Sequence, residues 1–298
     1  MAWFYLALLA PLLYAIVNLL DDNLLRYVYK SPYFATVSAG FYGSLPLLSR
    51  FFIHTSNIPT GLALLSVAAG FITLTYYFFY FKGLESDSPS IVIALFSLAP
   101  ATIPFFASFI VHERLFGLQI LGFMIVLLGS LGIAVADIKR FKFSKALLPI
   151  AVAVIFMDIA AIMTKYVYDK VDFYPAYLYF SLGMGLAGIC FFLVKFEQNK
   201  GTLKDVKRAL KKLLPIFIVA ELVGLGAEFT LNLAISRGSV SLVKVIEGIQ
   251  PMFVLLIALM LYPLSPKHFR EAEDGKVIRK FALMALSMVG LAIIFINS

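Results

Sequence analysis

The sequence predicts an all-α integral membrane protein of ten transmembrane helices, arranged as two inverted five-helix repeats. Three observations carry that prediction: a composition too apolar to face water, apolar runs long enough to cross a bilayer, and a membrane hairpin that occurs twice. Of the 298 residues, 61% are hydrophobic and only 14% charged, and the mean hydropathy is +0.94. Soluble domains carry roughly 45–50% apolar and about 25% charged residues. Uninterrupted apolar runs of roughly 18–25 residues recur along the chain and fit helices spanning a ~30 Å hydrocarbon core. The alternation of about ten residues that marks a membrane β-barrel is absent.

Taken in order, the spans read as 3–24, 33–53, 58–81, 89–111, 117–136, 146–166, 174–195, 212–235, 240–262 and 279–297. Breakers fall where ends are expected, at Ser31-Pro32, Asn57-Ile58-Pro59, Ser88-Pro89, Gly238-Ser239 and Pro263 to Pro266. The N-terminal run has no basic n-region and no small-residue cleavage site, so it reads as the first span, with Trp3 and Tyr5 at the interface. Pro11, Pro46, Pro100, Pro104 and Pro251 lie inside spans. Each removes a backbone hydrogen bond and reads first as a kink, with Pro100 and Pro251 as the hinge candidates.

The hairpin Lys82–Ala136 has its copy in 236–295. Ser90 and Ser241 are 151 residues apart, and so are Pro100 and Pro251. Gly129 and Gly290 match after an insertion of ten residues in the second copy. Arg26-Tyr-Val-Tyr29 and Lys165-Tyr-Val-Tyr168 close the first and sixth spans alike, and Tyr33 and Tyr174 open the next ones. The repeats are therefore 1–138 and 145–298, joined by the basic linker 137–145 within one membrane domain. Five spans per copy is an odd number, so the second copy enters the bilayer from the opposite face, a plan recurrent among secondary transporters.

The net charge of +8 is explained by Lys and Arg in the breaks between spans rather than by nucleic acid, which is not expected as a partner. Of the 25 such residues, 19 lie in the loops joining spans 1–2, 3–4, 5–6, 7–8 and 9–10, against 5 in the alternate loops. The positive-inside rule makes the first set cytoplasmic and both termini external. The Lys200–Lys212 segment reads as a solvated linker in preference to a lipid-surface helix. Cys190, the single cysteine, reads as a packing residue and excludes an internal disulfide or a CxxC metal site.

Ionisable residues inside spans need a reason, since each costs roughly 2.5–3.5 kcal/mol at mid-bilayer. The candidates for substrate or ion binding are Asp158, Glu221, Glu228, Asn232, Lys244, Glu247 and Asn18, with Asp21 and Asp22 near the end of span 1. Glu221, Glu228 and Asn232 share one helix face, and Lys244 can pair with Glu247 across a turn. Glu221 also reads as an ordinary interhelical hydrogen-bonding group, and Lys244 and Glu247 as a self-neutralised pair. Asp158 stands alone in AVAVIFMDIAAIM and is a candidate proton carrier. The excess of acids favours a cationic or zwitterionic ligand, or proton coupling. The aromatics Phe41, Tyr42, Tyr76 to Phe81, Tyr174, Tyr177, Tyr179 and Phe180 read as interfacial belts in preference to a cation cage. Gly122, Gly129 and Gly132, and Gly183, Gly185 and Gly188, read as close helix seams. No HExxH, GxSxG or Walker A motif is present, so no catalytic residue, metal or cofactor is expected, and transport would be driven by gradients.

Ten spans as five plus five, the Ser/Pro turn, Pro100 in the fourth span, Glu113-Arg114 at its end and Gly129 in the fifth resemble the drug/metabolite transporter superfamily, specifically its EamA-type ten-helix carriers. That resemblance implies secondary active transport of amino acids, other metabolites, nucleotide sugars or drugs. It implies a cavity between the halves, and export coupled to protons or exchange. The second copy departs from it, with Pro263-Leu264-Ser265 in place of His112-Glu113-Arg114. The resemblance also puts both termini in the cytoplasm, against the charge count. The expectation is an alternating-access exporter of a small polar, zwitterionic or cationic metabolite or drug, multi-pass in the plasma (inner) membrane. Its partners are the small-molecule substrate, membrane lipid, a coupling proton and a second copy in a homodimer. The alternatives are an anion antiporter of the same fold, with Lys244, Lys165 and Arg237 as its basic candidates, or a lipid flippase or structural subunit.

Overall fold

A computed structural model describes residues 2–86, 92, 95–96, 99–135, 145–261 and 277–297. The Ser88–Ser90 turn, the linker up to Ser144 and the Pro263-Leu264-Ser265 segment lie outside the described residues, as do the side chains of Asp22 and Arg26.

Helix α1 (Ala2–Leu24) runs into a π-helical turn, Leu25–Tyr29, that ends at the left-handed Lys30. Ser31 then caps α2 (Pro32–Ser44) by accepting from the Phe34 N–H at 3.2 Å, with Pro32 at the first helical position, where no N–H is needed. At Pro46 the chain tightens into a 3₁₀ turn, Leu45–Phe51. After α3 (Thr60–Ser86), Pro100 lies in a second 3₁₀ turn, Ala99–Ala101, followed by α4 (Ile103–Ile110) and α5 (Leu118–Val135). The second half supplies α6 (Leu147–Tyr168), α7 (Phe173–Val194), α8 (Phe196–Arg237), α9 (Val240–Glu247), α10 (Gln250–Leu261) and α11 (Val277–Ile296).

Six of the described stretches are long and apolar enough to cross a membrane: Ala2–Asp21, Thr60–Ser86, Leu147–Tyr168, Phe173–Val194, Leu214–Arg237 and Val240–Ile257. Leu118–Gly132 and Phe281–Ile296 are shorter apolar helices. The remaining predicted spans, the second and the fourth, are interrupted by the proline-bearing 3₁₀ turns. Phe51, Phe105, Phe109, Leu148 and Ile278 are among the large apolar side chains left on the surface, as a lipid-facing exterior requires. The segment around Lys200–Lys212 is corrected from linker to helix, because α8 is continuous over 42 residues. At 1.5 Å per residue α8 is roughly 60 Å long, twice the hydrocarbon core, so its basic first half extends beyond the apolar part that starts at Leu214.

Packing follows the small residues. Helix α1 lies against α8, α3 against α6 and α7, α2 against α7, and α5 against α11. The glycine seams form as expected: a Cβ on Gly183 would strike the Val67 carbonyl, one on Gly70 the Phe180 carbonyl, and Gly122 and Gly290 face each other across α5 and α11. Gly40 and Gly188 do the same between α2 and α7. Such contacts bring helix backbones together where lipid offers no hydrophobic drive for association.

Candidate central site

Two helix interruptions fix where the interior opens. Span 9 breaks at Gly248–Ile249 between α9 and α10, and span 4 breaks at Pro100. The breaks meet: a Cβ on Gly248 would come within 2.9 Å of Pro100 Cγ. Pro100 and Pro251 both border a cavity of about 160 Å³ between α1, α2, α3, α8 and the α9–α10 break. From these breaks the cavity extends past Glu228 toward Asp21, Tyr29, Ala220 and Glu221, where α1 ends. The opposite end is filled by a packed core that includes Phe4, Ile103, Leu242, Ile246 and Ile294. There Glu113 Oε2 accepts from the Ser241 backbone N–H at 3.2 Å and its hydroxyl at 3.0 Å, so an acid of the first half caps α9 of the second.

Five of the seven predicted binding residues line the cavity: Asn18, Glu221, Glu228, Lys244 and Glu247. Glu228 is buried and accepts three hydrogen bonds: Tyr14 at 2.7 Å and Tyr77 at 2.6 Å on Oε2, and the Asn232 amide at 2.7 Å on Oε1. Glu221 accepts from the Tyr29 hydroxyl and, at 2.7 Å, from Ser38 on its Oε1. Lys244 Nζ is 2.6 Å from Glu247 Oε2, so the expected pairing across one turn is present in the cavity wall. Asn18 accepts from Tyr80 at 2.8 Å, and Asp21 from the same hydroxyl at 3.3 Å.

The other two stand behind the wall. Asn232 holds Glu228 from the rear and accepts from Tyr168 at 2.9 Å, so it positions the carboxylate rather than facing the cavity. Asp158 is buried in α6 and accepts from Thr102, pinning the residue after the Pro100 turn. Its Oδ1 has no hydrogen-bond partner among the described residues, and its neighbour Met157, not Asp158 itself, lines the cavity.

Sequence reasoning undervalued the tyrosines. Tyr42, Tyr76, Tyr77 and Tyr80, read as interfacial belts, line the cavity together with Tyr14 and Tyr29, while Phe41 is exposed. A signal was present, since Tyr14, Asn18 and Asp21 are spaced i, i+4, i+7 on one face of α1. No group of three or more metal-ligating side chains occurs among the described residues.

The EamA-like transporter family matches the chain over residues 1–135. No curated protein matches it. A solved structure described as "Crystal structure of protein" is 18% identical, with a TM-score of 0.68 over 98% of this chain and 96% of that one. That likeness shows the fold alone, and it extends across both halves. The chain is thus a multi-pass helical membrane protein whose residues 1–135 are similar to the EamA-like transporter family.

Proposed function

We propose that the protein is a secondary carrier, not an enzyme, that moves a small polar metabolite or drug with cationic character by alternating access. The observation that carries this reading is the central cavity at paired helix breaks, walled by Asp21, Glu221, Glu228 and Glu247 against Lys244 as the one Lys or Arg lining it among the described residues. Broken helices expose backbone polar groups that a membrane tolerates only beside protein or a cavity, and carriers place their sites there. Lys244 is already matched by Glu247, which leaves an anionic substrate no unmatched cation in that wall among the described residues.

The inverted-repeat reading, with ten spans in repeats 1–138 and 145–298, has two supports. Exchanging the halves turns the α1–α8 contact into the α6–α3 contact and returns the α2–α7 and α5–α11 contacts to themselves. The family match also stops at residue 135, close to the end of the first repeat. We place the loops richer in Lys and Arg in the cytoplasm and both termini outside. The cavity then extends inward and the core around Phe4 and Ile246 seals the external end. A cysteine introduced at Thr202 in a Cys190→Ser background tests this with an impermeant maleimide. Labelling only after permeabilisation is expected, and labelling of intact cells overturns the orientation.

The transport reading itself is tested by counterflow in proteoliposomes, where preloaded solute should accelerate uptake of labelled solute. Glu228→Gln and Glu247→Gln should each reduce that flux at least tenfold. Unchanged flux in both removes the acids from the mechanism. Export and proton coupling are part of this proposal: an outward-directed substrate flux should be driven by an inward proton gradient.

A further inference from the structure

We propose that the cavity takes a ligand with a positive charge at each end of an apolar middle, a linear α,ω-diamine or polyamine. The proposal rests on the carrier reading and names its substrate class. Glu221 and Glu228 lie seven residues apart on one face of α8, so their poles are about 10 Å apart along the helix axis at 1.5 Å per residue. At one pole Glu228 is held by Tyr14, Tyr77 and Asn232. At the other, Glu221 is held by Tyr29 and Ser38 on Oε1, and Asp21 lines the same end of the cavity.

Every one of those donors is neutral. Among the described residues no Lys, Arg or His forms an ion pair with Glu221 or Glu228, and the cavity's Lys244 is engaged by Glu247. Hydrogen bonds orient a buried carboxylate but supply no counter-charge, and an unmatched buried charge is costly. A ligand with one ammonium at each pole supplies both counter-charges at once.

Between the poles the wall changes character. Val17 of α1, Ala39 and Gly43 of α2, and Gly224 and Leu225 of α8 line much of it without a polar side-chain atom, beside Asn18, which lies between Tyr14 and Asp21 on α1 and accepts from Tyr80. Polymethylene suits that stretch. The tyrosine rings at both poles add faces that attract ammonium groups. A free amino acid places a carboxylate near one of its ends, against a glutamate; a dicarboxylate does so at both.

Length follows from geometry. An extended alkane advances roughly 1.25 Å per bond, from ~1.5 Å bonds at near-tetrahedral angles. Ammonium groups roughly 6–10 Å apart, allowing for contact distances at each carboxylate, correspond to about four to seven methylenes.

The test is calorimetric titration of the purified protein with α,ω-diaminoalkanes of two to ten methylenes, alongside n-hexylamine, L-leucine and adipate. Affinity should peak within the four-to-seven range, and 1,6-diaminohexane should bind at least tenfold tighter than n-hexylamine. Glu221→Gln, with its unfolding temperature measured without ligand, should bring that ratio to threefold or less. Affinity that rises steadily with chain length reports apolar transfer and overturns the proposal, as does equal binding of hexylamine or tighter binding of leucine or adipate. The wild-type length series decides the matter if Glu221→Gln does not fold. Counterflow of leucine or hexylamine in place of diamines sinks the dication and leaves the carrier; no counterflow with any of these solutes or of a wider metabolite set sinks the carrier itself.

Discussion

The polar network around Glu228 makes a prediction whose size follows from its geometry. Tyr14 and Tyr77 donate to the same oxygen, Oε2, at 2.7 and 2.6 Å, from helices α1 and α3. Hydrogen bonds between membrane helices contribute about 0.6 kcal/mol on average and up to ~1.7. A carboxylate acceptor puts these two near the upper value. Tyr14→Phe or Tyr77→Phe alone should therefore cost about 1–1.7 kcal/mol, because the remaining phenol still satisfies Oε2. The double substitution strips that oxygen in a residue only 5% exposed. A buried, unsatisfied acceptor adds about 1–3 kcal/mol more. The double-mutant cycle should thus show a coupling of about 1 kcal/mol or greater beyond the sum of the single costs. Unfolding followed by circular dichroism in mixed detergent and dodecyl sulfate measures all four corners. Additivity within about 0.3–0.5 kcal/mol would refute the shared-oxygen arrangement.

Two further predictions concern packing and charge. Gly183→Ala forces a methyl into the Val67 backbone carbonyl and should destabilise by about 1–3 kcal/mol. Gly224→Ala meets only Val17 Cγ2, at 3.8 Å, and should be near neutral or slightly stabilising in the same unfolding assay. Lys244→Met leaves Glu247 without its partner and should cost about 3–5 kcal/mol, whereas Lys244→Met with Glu247→Leu should recover most of that stability. Equal losses in the single and double variants would mean that the pair does not act as a unit.

What the sequence revealed depends on the range of the signal. Spans and their glycine seams follow from composition and helical period, which is why Gly122, Gly183 and Gly188 were legible before any contact was known. Membrane energetics singled out Glu221, Glu228, Lys244 and Glu247, and they do border one cavity. The same rule could not separate a wall residue from one a layer behind, because cost in lipid is blind to direction, and so Asp158 and Asn232 were grouped with the others. Tyrosine is ambiguous in another way: its ring suits the interface and its hydroxyl suits a buried acid. Only the convergence of α1, α3 and α8 decides for Tyr14 and Tyr77. The Glu113–Ser241 contact joins residues 128 apart in sequence and had no local signature. The helix over 196–213 was hidden by its charge, since lysine-rich composition reads as solvated whether or not the backbone is helical.

Counterflow in proteoliposomes tests the central claim most directly. Wild-type protein should accelerate uptake of labelled 1,6-diaminohexane or another cationic metabolite when the same solute is preloaded, and Glu228→Gln, folded by circular dichroism, should abolish the acceleration. Uptake by wild type no faster than by protein-free vesicles, across amines, amino acids and phosphorylated metabolites alike, would contradict it.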